Sequence, residues 1–554
     1  LVSLPHPLAK FLALQYRVMK RLYLIPVLIC LWVWGLFAQT YSPSDPEWRQ
    51  GRHDYKKTAR SPWRCSSPAS VSRIWSHESS PGWFLASGSA VLNAVFDYNN
   101  DGVSEVLGGG PDDDGFAGMD VGMYLYVGSD GSIIWDITYD GDDYDAYWAV
   151  GKTPSGQNRI FSVYYDDDIW DSYYLFEVRD AITGGQIYER DESSDHSGLT
   201  IADVNGDGCP EIYRGVGRYA VSVDGCANTY TERWSRSIGT TVGIPVLADL
   251  NGDGNLEAYF PASNNNVYSY DALTGTPRWT WNTGGTFPNL LSWDIYSSVL
   301  AASDLDGDGK DELIVRTTTG IIAVKEVSGS PVVFWTWTGS PLSAVAVGDL
   351  NMDGHPDIVF RDGSGSWDFV VLNGVDGSVL AAPNDSASYC GAPTIADISG
   401  DGVFDVLISE CGCGNPHAWS MSNGWSAPVW TSSGCADEPP ISSDLIVAKH
   451  TNTSMLIVEG DVSCYTNVWS CPVAVLGYDD GLSVGEKAGT IVPYAVLGGK
   501  NYVEITGYSG NIGIYTPSGR LVKGGEVNGY ARFELPRGVY IVRTSKGVKT
   551  VVVR

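Results

Sequence analysis

Carboxylates and amides recur in this chain at a spacing that suits a hard cation. Six segments begin at Asp97, Asp203, Asp249, Asp304, Asp349 and Asp397 and read D-Y-N-N-D-G-V-S-E, D-V-N-G-D-G-C-P-E, D-L-N-G-D-G-N-L-E, D-L-D-G-D-G-K-D-E, D-L-N-M-D-G-H-P-D and D-I-S-G-D-G-V-F-D. Oxygen-bearing side chains stand at positions 1, 3, 5 and 9, and glycine stands at position 6. The sets are Asp97, Asn99, Asp101 and Glu105; Asp203, Asn205, Asp207 and Glu211; Asp249, Asn251, Asp253 and Glu257; Asp304, Asp306, Asp308 and Glu312; Asp349, Asn351, Asp353 and Asp357; and Asp397, Ser399, Asp401 and Asp405. Ca²⁺ takes roughly 6–8 oxygens, and a tight loop with glycine at its sharpest bend lets successive side chains converge on one point. The spacing predicts six Ca²⁺ sites, each completed by the backbone carbonyl of position 7.

These segments are not EF-hands, which place a bidentate Glu at position 12. Position 12 here is Gly108, Arg214, Phe260, Val315, Phe360 or Ile408. The last acid comes at position 9, and a β-rich run follows it, so each loop joins two strands. A single D-x-N-x-D-G would read as a polar turn. Six copies in register, all with the ninth acid, point to metal.

Other chemistry is less well marked. The seven His are scattered and form no H-E-x-x-H pattern, and no nucleophile elbow, P-loop or dinucleotide fingerprint stands in a suitable context. No catalytic residue is assigned. Carboxylates outside the six loops gather at Asp112–Asp114, Asp140–Asp145 and Asp166–Asp168, interleaved with aromatics. Rings beside carboxylates can face a sugar, so Tyr147, Trp148 and Trp170 are candidate ligand residues. Against this, acidic runs are commonly solvated loops and aromatics commonly pack blades. Trp135, Trp234, Trp279, Trp335 and Trp430 read as packing between blades.

The elements that would position the loops follow from their spacing. The loop starts are 106, 46, 55, 45 and 48 residues apart. A period of about 40–50 residues rich in short strands marks a β-propeller with one blade per repeat. Residues 143–190 fill the double gap, and 440–478 follow the last full repeat, each as a blade that has lost its loop. The expectation is an all-β, eight-bladed propeller, with seven blades left open by the two degenerate units. Ser72-Arg-Ile-Trp75 reads as a lone strand that closes the ring against the last blade and removes free edges.

On these residues the repeats resemble the FG-GAP/VCBS family, the calcium-loop propeller repeats also found in integrin α-subunits. The resemblance covers about 90–480 and implies a propeller with metal in its loops. The lead-in Trp48-Arg-Gln-Gly-Arg-His-Asp-Tyr-Lys-Lys is similar to the segment that precedes quinoprotein-type and FG-GAP propellers. The tail, about 485–554, carries no acidic loop and suggests a small C-terminal β-sandwich. Its Ile514-Tyr-Thr-Pro-Ser-Gly-Arg-Leu-Val and Leu535-Pro-Arg-Gly-Val-Tyr-Ile-Val-Arg resemble the C-terminal sorting domain of type IX secretion substrates, although the usual early Pro-Asn-Pro is missing. That resemblance implies bacterial export machinery as a partner.

Composition sets the remaining bounds. The formal charge of −30 over 554 residues argues against nucleic acid, whose phosphates need a basic surface. The six loops account for 19 carboxylates, and six Ca²⁺ would offset 12 of those charges. Met19-Lys-Arg followed by an apolar run from Leu22 to Phe37 has the form of a signal peptide, giving segments of 1–38 and a 39–70 linker before a propeller over 71–480. No other stretch is apolar enough to cross a membrane. Nine Cys lie outside the signal, and an oxidising compartment makes disulfides the expectation. Cys209 and Cys226 share a blade, Cys464 and Cys471 close a short loop, and Cys65 has no obvious partner. Cys411-Gly-Cys413 lacks the second ligand pair that zinc would need.

Two function classes remain. One is a secreted or surface-attached, calcium-stabilised propeller that binds an extracellular glycan or protein. The alternative is a secreted polysaccharide-degrading enzyme, since one rhamnogalacturonan lyase family is a calcium-loop propeller.

Overall fold

The computed structural model describes residue 50 and residues 53–473 and 495–553, apart from 79–93, 113–119, 140–145, 169–170, 193, 195, 227–229, 289, 291–297, 365–367, 385–388, 411–415, 433–441, 452–453, 462–464, 500–501, 516–520, 536–537 and 545–546. The expected signal segment, Trp170 and Cys464 lie outside the described residues. Among those described, no helix is long and apolar enough to cross a membrane.

Eight antiparallel sheets follow one another along the chain, each built on four strands. Their first strands are Ala94–Phe96, Ala146–Lys152, Thr200–Ala202, Val246–Ala248, Leu300–Ser303, Ala346–Gly348, Tyr389–Asp397 and Ser442–Thr451. Each first strand neighbours the next, and the eighth returns to the first, so the ring is closed with eight blades. Seven blades are excluded. Both faces of a blade are covered by its neighbours, and the core is correspondingly a ring of clusters between blades. Blades 1 and 2 share Phe96, Leu107, Trp148, Ile160 and Leu175, and blades 5 and 6 share Ile314, Ile321, Ile358 and Val370.

Tryptophans in the outermost strands repeat one contact. The indole N–H of Trp75, Trp135, Trp234 and Trp335 donates to a carbonyl in the following blade: Gly128 at 2.9 Å, Ala181 at 3.1 Å, Ala272 at 2.8 Å and Gly374 at 2.7 Å. Each ring lies over a turn glycine of that blade with positive φ, and a Cβ on Gly275 would meet Trp234 at 2.5 Å. These indoles therefore pack blades, as the sequence suggested.

Ring closure also follows the expectation. Ser72–Glu78 pairs antiparallel with Tyr465–Pro472, with Trp75 opposite Val468. The last sheet thus takes three strands from the end of the propeller and one from its beginning, which removes both free edges.

The segment expected to be a linker is instead the centre of the ring. Its described residues run through the channel and bond to blade after blade. Gln50 bridges Ala149, and its side chain exchanges bonds with Ile201. The N–H groups of Leu247, Ala302, Val347 and Ile395, one from each of four successive first strands, donate to the carbonyls of Tyr55, Lys56, Thr58 and Ala59 at 2.8–3.0 Å. Arg60–Arg64 then pairs in parallel with Tyr389–Asp397. The physical reason is that first strands have a sheet partner on one side only. Their inner N–H groups need acceptors, and the thread supplies them. Stepping between radial blades bends the thread sharply: His53, Lys57 and Ala59 all have positive φ. Asp54, fully buried, holds the bend by accepting from the Lys56 N–H at 2.7 Å and the Thr58 hydroxyl at 2.5 Å. Burial alone would raise its carboxyl, but the His53 and Thr58 contacts hold it below the usual range.

The thread also corrects the cysteine pairing. Cys65 N–H donates to the Asp397 carbonyl and Ser66 N–H to that of Pro472, both at 2.8 Å, which sets Cys65 against Cys471. Those two form a disulfide across 406 residues, so Cys464 and Cys471 do not pair. Cys209 and Cys226 are joined as expected.

Asp479–Arg554 forms a second compact unit. Its strands Ala495–Gly499, Tyr502–Tyr515, Leu521–Glu534, Gly538–Thr544 and Gly547–Val553 make one antiparallel sheet, in which the long Tyr502–Tyr515 strand pairs with three others.

Because the Cys65–Cys471 bridge encloses nearly the whole ring, its loss should matter for stability. Cys65→Ser combined with Cys471→Ser is expected to lower unfolding stability by roughly 2–4 kcal/mol in denaturant titrations, with the native far-ultraviolet spectrum retained.

Candidate metal centres

Each acidic loop connects the first strand of a blade to the second, and one register builds all six. The ninth residue opens the second strand and opposes the residue just before position 1: Glu105 faces Phe96, Glu211 faces Ala202, Glu257 faces Ala248, Glu312 faces Ser303, Asp357 faces Gly348 and Asp405 faces Ala396. Glycine at position 6 has φ between +85° and +93° in every loop. Position 4 is also left-handed, and there Asn100 and Met352 stand in place of glycine.

The carboxylates of position 1 fold the backbone around themselves. Asp97, Asp203, Asp249, Asp304, Asp349 and Asp397 each accept the N–H of position 6 through one oxygen, at 2.8–3.0 Å. The amide oxygens of Asn99, Asn205, Asn251 and Asn351 accept the N–H of position 5 at 2.7–2.9 Å. Asp101, Asp207, Asp253, Asp308, Asp353 and Asp401 accept the N–H of position 7 at 2.8–2.9 Å. In the Asp97, Asp203, Asp304, Asp349 and Asp397 loops the ninth acid reaches back to the N–H of position 2, as Glu312 does to Leu305 at 2.6 Å. Ser399 in the sixth loop sits 3.4 Å from Asp397 and 3.3 Å from Asp405. Each loop thus wraps its backbone around the side chains singled out by spacing, but among the described residues three acids converge within 4.8 Å in the Asp304 loop alone.

Their electrostatics are those of carboxylates short of positive charge. Burial pushes the ninth acids up, and the neighbouring loop carboxylates add to it. Glu211 and Glu312 rise to about 8, and Glu257, Asp357 and Asp405 to about 7. Asp203, Asp304, Asp349 and Asp397 are also raised, again mainly by burial. In the Asp304 loop, oxygens of Asp304, Asp306 and Glu312 lie within 4.8 Å of one another. Basic side chains stand in for a cation: Lys325 among the acids of the Asp304 loop, Arg233 on Glu211, Arg278 on Glu257 at 2.7 Å, and Arg64 on Asp397 at 2.8 Å. An all-oxygen donor set that draws ammonium and guanidinium groups fits a hard divalent cation.

The candidate ligand residues fare differently. Trp148 is 3% exposed and packs between blades 1 and 2, so its ring is not a surface platform. Tyr147 is half-buried against the cluster between blades 2 and 3. What does project is a hairpin. Asn158–Asp168 and Asp171–Asp180 are 11 and 10 residues long and stay paired to Asp168 opposite Asp171. It leaves the ring on the face away from the acidic loops, since those loops begin the second strands and this turn ends one.

Sequence reasoning missed two polar clusters on that same face. His196 lies 3.2 Å from Glu192 and 3.0 Å from the buried Arg214, with Tyr174 edge-on to its ring. Burial and the Arg214 charge push His196 down to about 3, while Glu192 is held at about 2 by Arg214 against the pull of burial. The set is a fixed ion pair beside a neutral imidazole, tying blade 2 to blade 3. His417 meets the Tyr389 hydroxyl at 3.2 Å and Glu410 at 3.5 Å in blade 7. Neither cluster has a sequence signature, because each draws on three separate strands or links.

No protein-family model matches the sequence, and no curated protein does. Solved structures match in fold. The exotype rhamnogalacturonan lyase YesX aligns with a TM-score of 0.51 at 14% identity, covering 72% of this chain and 76% of its own. A europium-containing methanol dehydrogenase aligns with a TM-score of 0.49 at 10% identity, covering 75% and 89%. BamB from Moraxella catarrhalis aligns with a TM-score of 0.45 at 12% identity, covering 72% and 99%. At 14% identity the likeness to YesX speaks to the β-propeller fold alone.

The raised acids make a signed prediction. Their folded pKa values exceed the unfolded values, so the stability they contribute is present below about pH 4 and is lost as pH rises through about 7–8. In chelator, the melting temperature should fall by several degrees between pH 5 and pH 8. Added Ca²⁺ should flatten that slope, which a thermal melt series will check.

Proposed function

We propose that this chain is a calcium-stabilised binding propeller that works outside the cell, with a glycan or a protein as its ligand. The observation that carries the reading is the division of labour between the two faces of the ring. Six acidic loops stand on one face, where a bound cation would relieve carboxylate repulsion and stiffen the connection of first to second strand in six blades. The channel is filled by the chain's own thread. The opposite face carries the longest paired hairpin among the described residues of the ring, an extension the fold does not need, and its tip holds Asp166, Asp167, Asp168 and Asp171. Extra structure on a rigid scaffold is where ligands are commonly met.

Export is part of the proposal. The two disulfides fit an oxidising compartment. The resemblance of the tail to type IX sorting domains, and of residues 19–38 to a signal peptide, supports a secreted or surface-attached bacterial protein.

A glycan array probed in Ca²⁺, with a parallel assay for unsaturated products on pectic polysaccharides, tests the reading. Replacing Asp166, Asp167 and Asp168 together by Asn should weaken binding at least about tenfold with the melting temperature unchanged, the equivalent of about 1.4 kcal/mol. Release of unsaturated sugars by the purified protein would replace the binding reading with that of a lyase.

A further inference from the structure

The Asp304 loop differs from the other five in both charge and company. It alone has a carboxylate at position 3, Asp306, and so carries four acids at positions 1, 3, 5 and 9 where the others carry three. It is also the loop into which a lysine reaches. Lys325, on the third strand of the same blade (Gly320–Val327), bonds Asp306 and places its ammonium 3.5 Å from Glu312 and 3.7 Å from Asp308. The positive charge of Lys325 offsets the extra negative charge of Asp306.

The other basic partners are placed differently. Arg233 and Arg278 come from fourth strands and meet their loops at the ninth acid, Glu211 and Glu257, and Arg278 shares itself with Glu326 at 2.5 Å. Arg64 comes from the thread and meets Asp397. Among the described residues, no basic side chain forms an ion pair with Asp349, Asp353 or Asp357. Asp357 is fully buried and feels Asp353 and Asp349 as like charges.

We propose that Lys325 is a built-in counter-ion which a divalent cation must displace, making the Asp304 loop a weak, exchangeable Ca²⁺ site beside a tight one at the Asp349 loop. The proposal rests on the reading of the acidic loops as Ca²⁺ sites. The physical argument is competition for the same oxygens. An ammonium among three carboxylates already supplies part of the attraction that a metal would, and the metal gains only the difference. Displacement is feasible because the ammonium lies 4.2 Å from the centre of the Phe334 ring. A cation over an aromatic face keeps a favourable contact after it leaves the carboxylates. Among the described residues no competitor of this kind stands at the Asp349 loop, where a metal would relieve the repulsion among the acids.

Equilibrium dialysis against Ca²⁺ on the full chain, with melts in chelator and in Ca²⁺, tests this. Lys325→Met should raise the affinity of one weak site at least about tenfold. It should also lower the melting temperature in chelator, where the counter-ion is missed, and enlarge the rise that Ca²⁺ produces. Lys325→Gln, which keeps a polar side chain, should act in the same direction. Asp349→Asn should remove a tight binding step, and Asp304→Asn should leave that step in place. If wild-type protein binds Ca²⁺ and both Lys325 variants show its isotherm and its calcium-induced rise unchanged, Lys325 is an ordinary ion pair and the proposal fails. A wild-type protein that binds no Ca²⁺ would instead overturn the reading of the loops themselves.

Discussion

The first strand of each blade has a sheet partner on its outer side and none towards the axis, so a ring of eight blades faces its own channel with unpaired backbone groups. Such groups cost roughly 1–3 kcal/mol each when buried without a partner. The thread answers that constraint. Its carbonyls take N–H groups from four successive blades, its side chains reach Ile201 and Leu199, and its far end becomes an extra strand of blade 7. The same stretch then crosses to blade 8, is bridged by Cys65 to Cys471, and supplies the strand that closes the ring. Channel filling, the long disulfide and closure are one continuous run of residues.

That run also meets the acidic face. Lys56, half-buried in the thread, is held by Asp311 at 2.6 Å, and the other oxygen of Asp311 accepts the N–H of Asp249. Burial pulls the Lys56 amine down, but Asp311 more than offsets this and raises it. Asp311 is the eighth residue of one loop and Asp249 the first of the preceding one, so a single carboxylate ties two loops to the thread. Arg64 does the same for the sixth loop through Asp397 and the Gly400 carbonyl. The loops are thus braced from the centre of the ring as well as by their own hydrogen bonds.

Period and register made most of the fold legible. Blade number followed from loops spaced by a strand-rich repeat, and closure followed from a strand at Ser72–Trp75 with no blade of its own. All six loop positions could be named because each repeat places the ninth acid at the same rung of the ladder. The thread could not be read in this way. His53 to Arg64 has no periodicity, and its burial depends on blades that come up to about 340 residues later. Trp148 was misjudged for a related reason. In Ala146–Lys152, Trp148 and Val150 point to one face and Tyr147 and Ala149 to the other, but neighbouring blades cover both faces, so alternation cannot mark the wet side. Cys65 found its partner only through the path of the thread.

The thread imposes an order on assembly. Residues 53–64 leave the ribosome before any blade, yet their partners at Leu247, Ala302, Val347 and Ile395 emerge one at a time over the following several hundred residues. The seams at Arg60–Arg64 and Ser72–Glu78 can be sewn only after Tyr389–Asp397 and Tyr465–Pro472 exist. Contacts so distant in sequence make closure a slow step, and until it occurs a partly built ring shows open strand edges. Short-range hairpins let blades condense locally, but the molecule becomes a ring only when its earliest and latest segments meet. Nascent protein held unfolded until the whole chain is available would escape the hazard of that interval.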